Sequence, residues 1–458
     1  MRIVVIGAGS VGIQLCRHLI REKHDVSLIE SDPECARHAS NRLDCLVIQD
    51  EGNNLSALEE AGIAKAQALV CATDSDEINM LICGLAASRY PDLLKIARVR
   101  NDDYLRLNRR EERILGIDHF VHPDVEAARW VLNAVEHGAL GEVLAFPGTP
   151  YGIGAIDVAP NSLFDGLKLT DFRSAAPPDS LVTLVDRAGK SILPGGGTVL
   201  TPGDRVHILA KEAELASIFE LAGQSHQKLK NIGIVGGGKV GILIAEGLIN
   251  REHSFLKKFF RKKSREVTII EQDYALCKDL AARFPEALIL NEDISDERFS
   301  GEERIFGLDL IVTATGHQEL NIITGAYLKS KGVRRAIALV SGAGYGPIAR
   351  QLGIDVVIPT KLVIVDSILS HLMGSGVKGV HRIGDGRIGI LEIEIGPDTP
   401  LLDKPITAFR LSAGGLIMLV NRGGESFIPK GGYVFQKGDH CILIAKNGSE
   451  KEIEKLLF

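Results

Sequence analysis

Ile3-Val4-Val5-Ile6-Gly7-Ala8-Gly9-Ser10-Val11-Gly12 decides the fold of this chain, because it joins a short apolar run to a turn of glycines. The run predicts a buried strand over Arg2–Ile6. Leu15, Leu19 and Ile20 then recur at helical spacing and predict a helix from about residue 11 to 22. Strand, Gly-x-Gly-x-x-Gly and helix, in that order, spell a phosphate-binding turn. Gly7 permits the tight turn, Gly9 lets a phosphate approach the backbone, and Gly12 lets the helix pack closely. Ala8, Ser10 and Val11 complete the loop, and unpaired N–H groups at the helix start suit an anion.

Outward from that turn, strands are expected at residues 25–29, 45–49, 68–72 and 95–99, with a helix at 77–88. Strands alternating with helices predict an α/β fold with a doubly wound parallel sheet. Such sheets bind ligands at the carboxyl ends of their strands. Glu30 stands there, where a carboxylate accepts hydrogen bonds from ribose hydroxyls and repels a 2′-phosphate. That favours adenine nucleotides or NAD(H) over NADP, with Asp32 as a second candidate acid. Asp50 and the pair Thr73-Asp74 also follow strand ends. Asp50 either caps the next segment or holds the adenine side of a ligand. Thr73 and Asp74 are candidate ligand residues there, although Asp74, Asp76 and Glu77 also precede a helix and read first as caps at its positive end. Alternation places Arg98 and Arg100 on one face, suited to a phosphate or an interdomain carboxylate.

The chain then repeats itself. Ile232-Gly233-Ile234-Val235-Gly236-Gly237-Gly238-Lys239-Val240-Gly241 echoes the opening turn, and Glu271 echoes Glu30. Thr315, Glu319 and Asn321 echo Thr73, Glu77 and Asn79. Residues 181–211 align without a gap on 416–446, sharing Arg187/Arg422, Asp204/Asp439 and several glycines. The order is therefore N1–C1–N2–C2, with expected domains at 1–135, 140–222, 229–370 and 376–458. C1 reads as a small α+β unit with strands at 153–158, 180–185 and 206–210 and a short helix at 167–172. Gly236, Gly238, Lys239, Gly241, Glu271, Asp293 and Thr315 are the candidate ligand residues of N2. In N2, Gly316 and Gln318 replace Asp74 and Asp76, and Leu339 and Ser341 replace Arg98 and Arg100. The two sites are therefore expected to differ.

A net charge of -6 gives no basic footprint for nucleic acid. No segment reaches the ~18–20 apolar residues of a membrane span. The N-terminus lacks the pattern of a signal peptide, so a cytoplasmic protein is expected. The seven cysteines show no CxxC spacing and read as reduced, mostly buried thiols, with no metal site. No GxSxG, HExxH or GKS/T motif occurs, which excludes the corresponding hydrolases. The rival function is an NAD-dependent oxidoreductase. It needs a proton donor with a partner, and His207 and His440 show no neighbouring acid in a recognisable motif, nor Cys71 a paired histidine. The basic stretch 255–265 reads as a solvated extension, with contact to anionic lipid or a channel as the alternative.

Taken over its whole length, the chain resembles the TrkA family of Trk-type potassium-uptake regulators. The marks are Gly7-Ala8-Gly9-Ser10-Val11-Gly12, residues 73–80, Ile96-Ala97-Arg98-Val99-Arg100, the Gly203-Asp204 and Gly438-Asp439 turns, and the N1–C1–N2–C2 order. The resemblance implies paired RCK (KTN) N- and C-domains without catalytic activity. It implies a homodimer or homotetramer ring at the inner face of the membrane, beneath a TrkH-type potassium channel subunit. It also implies that ATP, ADP or NAD(H) acts as a regulatory ligand. Gly7, Gly9, Gly12, Glu30, Asp50, Thr73, Arg98 and Arg100 would form the N1 site.

Overall fold

The computed structural model describes all of the chain except residues 108–113, 137, 140–142, 147–148, 224–228, 250–264, 295, 297–302, 373–376, 384–387, 413, 447–448, 450–451, 454–455 and 457–458. N1 runs β1 (Arg2–Ile6), α1 (Ser10–Arg21), β2 (Asp25–Glu30), α2 (Pro33–Ser40), β3 (Leu46–Gln49), α3 (Leu55–Glu60), β4 (Ala68–Cys71), α4 (Asp76–Arg89), β5 (Leu94–Arg98), α5 (Asp102–Leu107), β6 (His119–Val121) and α6 (Pro123–Glu136). Its six strands are all parallel, in the order β3-β2-β1-β4-β5-β6. Parallel strands covered on both faces should be apolar throughout. Accordingly, Val4, Ile29 and Leu69 fill one face and Val5, Leu28 and Val70 the other. The order reverses between β1 and β4, which opens a crevice at their carboxyl ends.

C1 comprises β7 (Val143–Ala145), β8 (Tyr151–Asp157), α7 (Phe172–Ala175), β9 (Leu181–Arg187), β10 (Lys190–Ile192), β11 (Arg205–Lys211) and α8 (Glu212–Leu221). Its five antiparallel strands lie in the order β10-β9-β11-β8-β7. The helix expected at 167–172 is not there. Leu167 and Leu169 instead exchange backbone bonds with Thr198 and Leu200, and only residues 172–175 coil. Gly166 at φ +79° and Pro177-Pro178 leave room for a single turn of helix.

N2 repeats the first sheet with β12 (Asn231–Val235), α9 (Lys239–Ile249), β13 (Glu266–Glu271), α10 (Tyr274–Arg283), β14 (Leu288–Asn291), α11 (Glu303–Phe306), β15 (Leu310–Thr313), α12 (Gln318–Ser330), β16 (Arg335–Val340), α13 (Gly346–Gln351), β17 (Val356–Pro359) and α14 (Thr360–Leu372). C2 repeats the second with β18 (Val377–Ile383), β19 (Ile388–Glu394), β20 (Gly415–Arg422), β21 (Glu425–Phe427) and β22 (His440–Lys446). Both strand orders match their counterparts.

The halves are interlocked. The last helix of each N segment leaves its own sheet and completes the core of the other. Val131 and Leu132 of α6 pack among Ile232, Ile234 and Ile244 of N2. The crossing is so close that a Cβ on Gly247 of α9 would lie 2.3 Å from Leu132 Cδ1. Conversely, Ile364, Ile368 and Leu369 of α14 pack on Leu15 and Leu19 of α1. His371 stacks on His119 of β6 at 4.1 Å, and burial, with His119 and Arg129 nearby, pushes its imidazole down to about 4. The C sheets meet face to face, with Ile153, Leu184 and Leu209 against Ile390, Leu419 and Ile444. Each such side chain contributes about 1.5–3 kcal/mol when fully buried, so N1 and N2 are joined through two apolar layers.

Five cysteines are buried as expected, but Cys35 is exposed and Cys45 half-buried. Within the basic stretch, residues 255–264 lie outside the described residues. Arg265 is described, and it pairs with Glu136 of α6 at 2.8 Å. No helix among the described residues is long and apolar enough to cross a membrane.

Candidate nucleotide site

The crevice at the end of β1, β2 and β4 holds a cleft of about 220 Å³. It is lined by Gly7, Glu30 and Thr73 together with Ser31, Glu51, Gly52, Asn53 and the isoleucines 6, 29, 78 and 82. Gly7 adopts φ +100°, and a Cβ there would press on the Thr73 backbone at 3.1 Å. Any other residue would therefore be strained and crowded. Gly9 has open space around its missing side chain, as close approach by a ligand requires. Gly12 brings the helix in closely, and the contact it relieves is with the turn. Its Cβ would lie 1.9 Å from the Gly7 carbonyl oxygen, so it lets α1 pack on the turn itself.

Glu30 braces this turn. One carboxylate oxygen accepts the Ala8 N–H and the other accepts the Asp32 N–H at 2.9 Å. Charge-assisted bonds of this kind are about twice as strong as neutral ones. Asp32 itself caps α2 by accepting the Cys35 N–H at 2.7 Å, which holds its carboxyl below the usual range. Asp50 is committed locally, to the Glu51 N–H and the Asn54 amide, and does not line the cleft. Of its two readings, the turn-capping one describes these bonds.

Thr73 is fixed by a residue the sequence did not mark as functional. Asn79 is fully buried on α4; its Oδ1 accepts the Thr73 N–H and hydroxyl, and its amide donates to Thr73 O and Arg98 O at 3.0 and 2.8 Å. One side chain thus staples the ends of β4 and β5. Its signal was present in the repeat, since Asn321 recurs at the same offset from Thr315. Glu51, Gly52 and Asn53 were missed because only the β3 register brings this loop over the crevice.

The acids and arginines sort differently from expectation. Ser75 is the α4 cap and accepts the Ile78 N–H. Asp74, read as a cap, pairs with Arg98 at 2.9 Å. Asp76 accepts the N–H groups of Arg100 and Asn101, and Glu77 bonds Ser75 and Tyr104. Arg98 is nearly buried and also donates to Thr73 O, so it braces the site instead of facing a phosphate. Because β5 ends at Arg98, strand alternation does not extend to Arg100, which is exposed. The Arg100 carbonyl oxygen accepts a bond from Lys239 Nζ of N2 at 3.3 Å. The end of the N1 crevice therefore borders the glycine turn of N2.

N2 rebuilds the same frame. Gly236 takes φ +103°, Gly241 meets the Gly236 oxygen at 2.0 Å from its notional Cβ, and Gly238 is open. Glu271 accepts the N–H groups of Gly237 and Asp273 at 2.7 and 2.9 Å. Asn321 staples Thr315 to Leu339 O. Gln318 accepts the Ser341 N–H at 3.0 Å, keeping the Asp76–Arg100 backbone bond without its charge. Glu271 pairs with Asn291 as Glu30 pairs with Gln49, which puts Glu292 at the place of Asp50 and Asp293 at the place of Glu51.

The TrkA-N domain model matches residues 3–123 and 232–360, and the TrkA-C domain model matches 153–223 and 390–457. The chain belongs to the TrkA family. It is 28% identical over 462 residues to the Trk system potassium uptake protein TrkA of Halomonas elongata, covering 100% of this chain and 98% of that one. It is 26% identical to the TrkA of Haemophilus influenzae over 463 residues, with 100% and 98% coverage. It is also 28% identical to a TrkA homolog of Archaeoglobus fulgidus, with both chains covered in full. Among solved structures it is similar to the GsuK channel bound to NAD, with TM-score 0.56, 18% identity, and 99% and 78% of the two chains covered. It is also similar to the GsuK RCK domain, with TM-score 0.55, 18% identity, and 99% and 94% covered. At that identity the likeness shows the fold, a pair of Rossmann-like sheets with small antiparallel ones.

The TrkA-C domains supply a correction. His207 does have an acidic neighbour, because β9 and β11 pair and bring Asp186 to 2.8 Å from its Nε2. Ser191 donates to the other oxygen of Asp186, and the histidine and serine bonds hold that carboxyl down despite its burial. His440 lies 3.7 Å from Glu394. Neither histidine lines the cleft, and C2 carries Asn421 and Ile442 at the places of Asp186 and His207. The pair is internal to the C1 sheet. TrkA chains are named for potassium uptake and not for an enzymatic reaction.

Proposed function

We propose that this TrkA chain is a nucleotide-responsive regulatory subunit of a TrkH-type potassium channel, held at the cytoplasmic face of the membrane. The observation that carries the reading is the N1 cleft, where Gly7, Glu30 and Thr73 converge at the carboxyl ends of three parallel strands. Its apolar floor suits a base, and Glu30 has the position of a ribose acceptor. No Lys or Arg lines it, so phosphates belong outside, along the open edge of Gly9 and toward Arg100. ATP, ADP and NAD(H) all present that chemistry.

Regulation requires that the ligand bind one arrangement of the domains better than another. Arg100 and Lys239 meet at the border of N1 and N2. Phosphates placed there would draw the two segments together through charge-assisted bonds. Assembly into a ring is supported by the apolar face of α4, with Leu81 and Leu85 exposed, and by its repeat on α12, with Ile323 and Tyr327 exposed. Two related faces on one chain let each copy meet a second and a third.

The test is co-purification with a TrkH-type subunit and potassium flux into vesicles at varied ATP, ADP and NADH. Flux that follows nucleotide only when the chain is present supports the reading. A chain that binds no nucleotide, or whose nucleotide leaves flux unchanged, sinks it.

A further inference from the structure

We propose that N1 carries a further binding site, for an alkyl diamine, at the amino ends of β1, β2 and β3. It lies at the opposite end of the sheet from the nucleotide cleft and does not rest on that reading. A cleft of about 310 Å³ opens there, large enough for a small organic ligand. Arg2, Asp25 and Leu46, the first residues of the three strands, line it with Ser27, Asp44 and Glu60.

Ser27 points to an occupant. Parallel strands covered on both faces should be apolar throughout, yet Ser27 interrupts β2 on the face it shares with Ile29. It is 5% exposed, and among the described residues its hydroxyl has no hydrogen-bond partner. A buried polar group in that state is rare and calls for a partner from outside the chain. Because Ser27 lines the cleft, a ligand's N–H can donate to it.

The charge around Ser27 selects a cation. Asp44 and Glu60 are exposed at the rim, and among the described residues neither side chain has an ion pair or a hydrogen bond. Burial and then Asp44 push the neighbouring Cys45 thiol up to about 11, so the negative field reaches the cleft wall. Arg2 adds no free positive charge, because its Nε and a terminal nitrogen both meet Asp25, at 2.7 and 2.6 Å. His24 turns its Nε2 to Glu22, at 3.6 Å. An anion would therefore meet two unneutralised carboxylates. Among the described residues no group of three His, Cys, Asp or Glu side chains is arranged to hold a metal ion. An organic cation fits instead. Val26, Ala61 and the 50% exposed Leu46 give apolar walls for methylene groups. Two rim carboxylates match two ammonium groups, and the Ser27 hydroxyl accepts from one of them.

The test titrates 1,4-diaminobutane into the full chain by calorimetry, with butane-1,4-diol as the uncharged control, and maps hydrogen exchange at saturation. Potassium chloride at about 0.15 M screens diffuse attraction to the acidic chain. Binding of the diamine alone is expected, with protection of residues 24–27, 44–46 and 60–62. Asp44→Asn combined with Glu60→Gln should weaken it at least about tenfold, and Ser27→Ala about threefold. No binding of the diamine, equal binding of the diol, or protection confined to other residues overturns the proposal. So does wild-type affinity in the folded double variant or in Ser27→Ala. Nucleotide is titrated separately, so each of these failures leaves the reading of the N1 nucleotide cleft standing.

Discussion

In N1 the carboxylate of Glu30 takes the Ala8 N–H, and in N2 that of Glu271 takes the Gly237 N–H. Asn79 ties β4 to β5 as Asn321 ties β15 to β16. Against this sameness, Asp74 and Arg98 form an ion pair in N1 where N2 has Gly316 and Leu339. Gly52 passes bare against Ile6 and Ile82, where N2 has Ile294 beside the shorter Val235 and Thr324. A duplicated domain must keep the bonds that close its own sheet, because a buried backbone group without a partner costs about 1–3 kcal/mol. It is free to lose what serves only a ligand. The difference between the halves thus separates framework from function more cleanly than either half alone.

The comparison can be broken at its strongest shared point first. Gly12→Ala and Gly241→Ala each place a methyl group about 2 Å from a carbonyl oxygen, and overpacking against backbone should cost roughly 3 kcal/mol or more. Chemical denaturation should show both losses. A mild effect in N2 alone would mean that its turn is not the same turn.

Asn79→Ala and Asn321→Ala come next. Each removes a buried amide with several bonds, for a loss of about 2–3 kcal/mol in either half. Nucleotide affinity should fall only for the N1 variant, because Thr73 lines the proposed site. Equal loss of affinity from both would contradict the division between the halves.

Arg98 and Arg100 sharpen the contrast within N1. Arg98→Ala should lower stability by about 1 kcal/mol, since it removes a donor to Thr73 O while its partner Asp74 is solvent-exposed. Arg100→Ala should leave stability intact and weaken ATP by about tenfold, with less effect on NADH. Calorimetry giving equal losses for both ligands would remove Arg100 from the phosphate path.

The last effect, absent at acid pH, concerns the exchanged helices. Asp366 on α14 occupies the place of Arg129 on α6. Arg129 pairs with Glu126 at 2.9 Å, whereas burial pushes the Asp366 carboxyl up to about 8. Its folded value exceeds the unfolded one, so its favourable contribution is full at pH below about 4 and is lost as pH rises toward 8. Asp366→Asn should therefore match the wild type at pH 4 and be the more stable of the two at pH 8.5. Thermal unfolding across pH reads the difference, and parallel curves would show that the carboxyl is charged in the fold.

Much of this molecule was legible in its sequence. The opening glycine turn, the acid on the neighbouring strand and the doubled order of four segments all follow from local pattern, since strand periodicity and glycine's conformational freedom act over a few residues. Strands β6, β7 and β10 were not legible, because three residues are too few to show a period. Nor was the helix wrongly placed at 167–172, where pairing with residues 198–200 overrode local preference. For Arg98 the sequence leaves a phosphate and a carboxylate partner both open, because strand alternation gives its face and not its neighbours. The fold buries it against Asp74 and the Thr73 carbonyl.

The sequence by itself determined that two dinucleotide-type turns exist and which acids stand beside them, because each depends on contacts within about thirty residues. Only the tertiary structure decided that α6 and α14 trade places, that Lys239 reaches Arg100, and that Gly52 must stay bare against Ile6 and Ile82. Those outcomes depend on packing between segments more than a hundred residues apart or on strand register. A side chain's neighbours there are set by volume and by the pairing of whole sheets, and no local period encodes them.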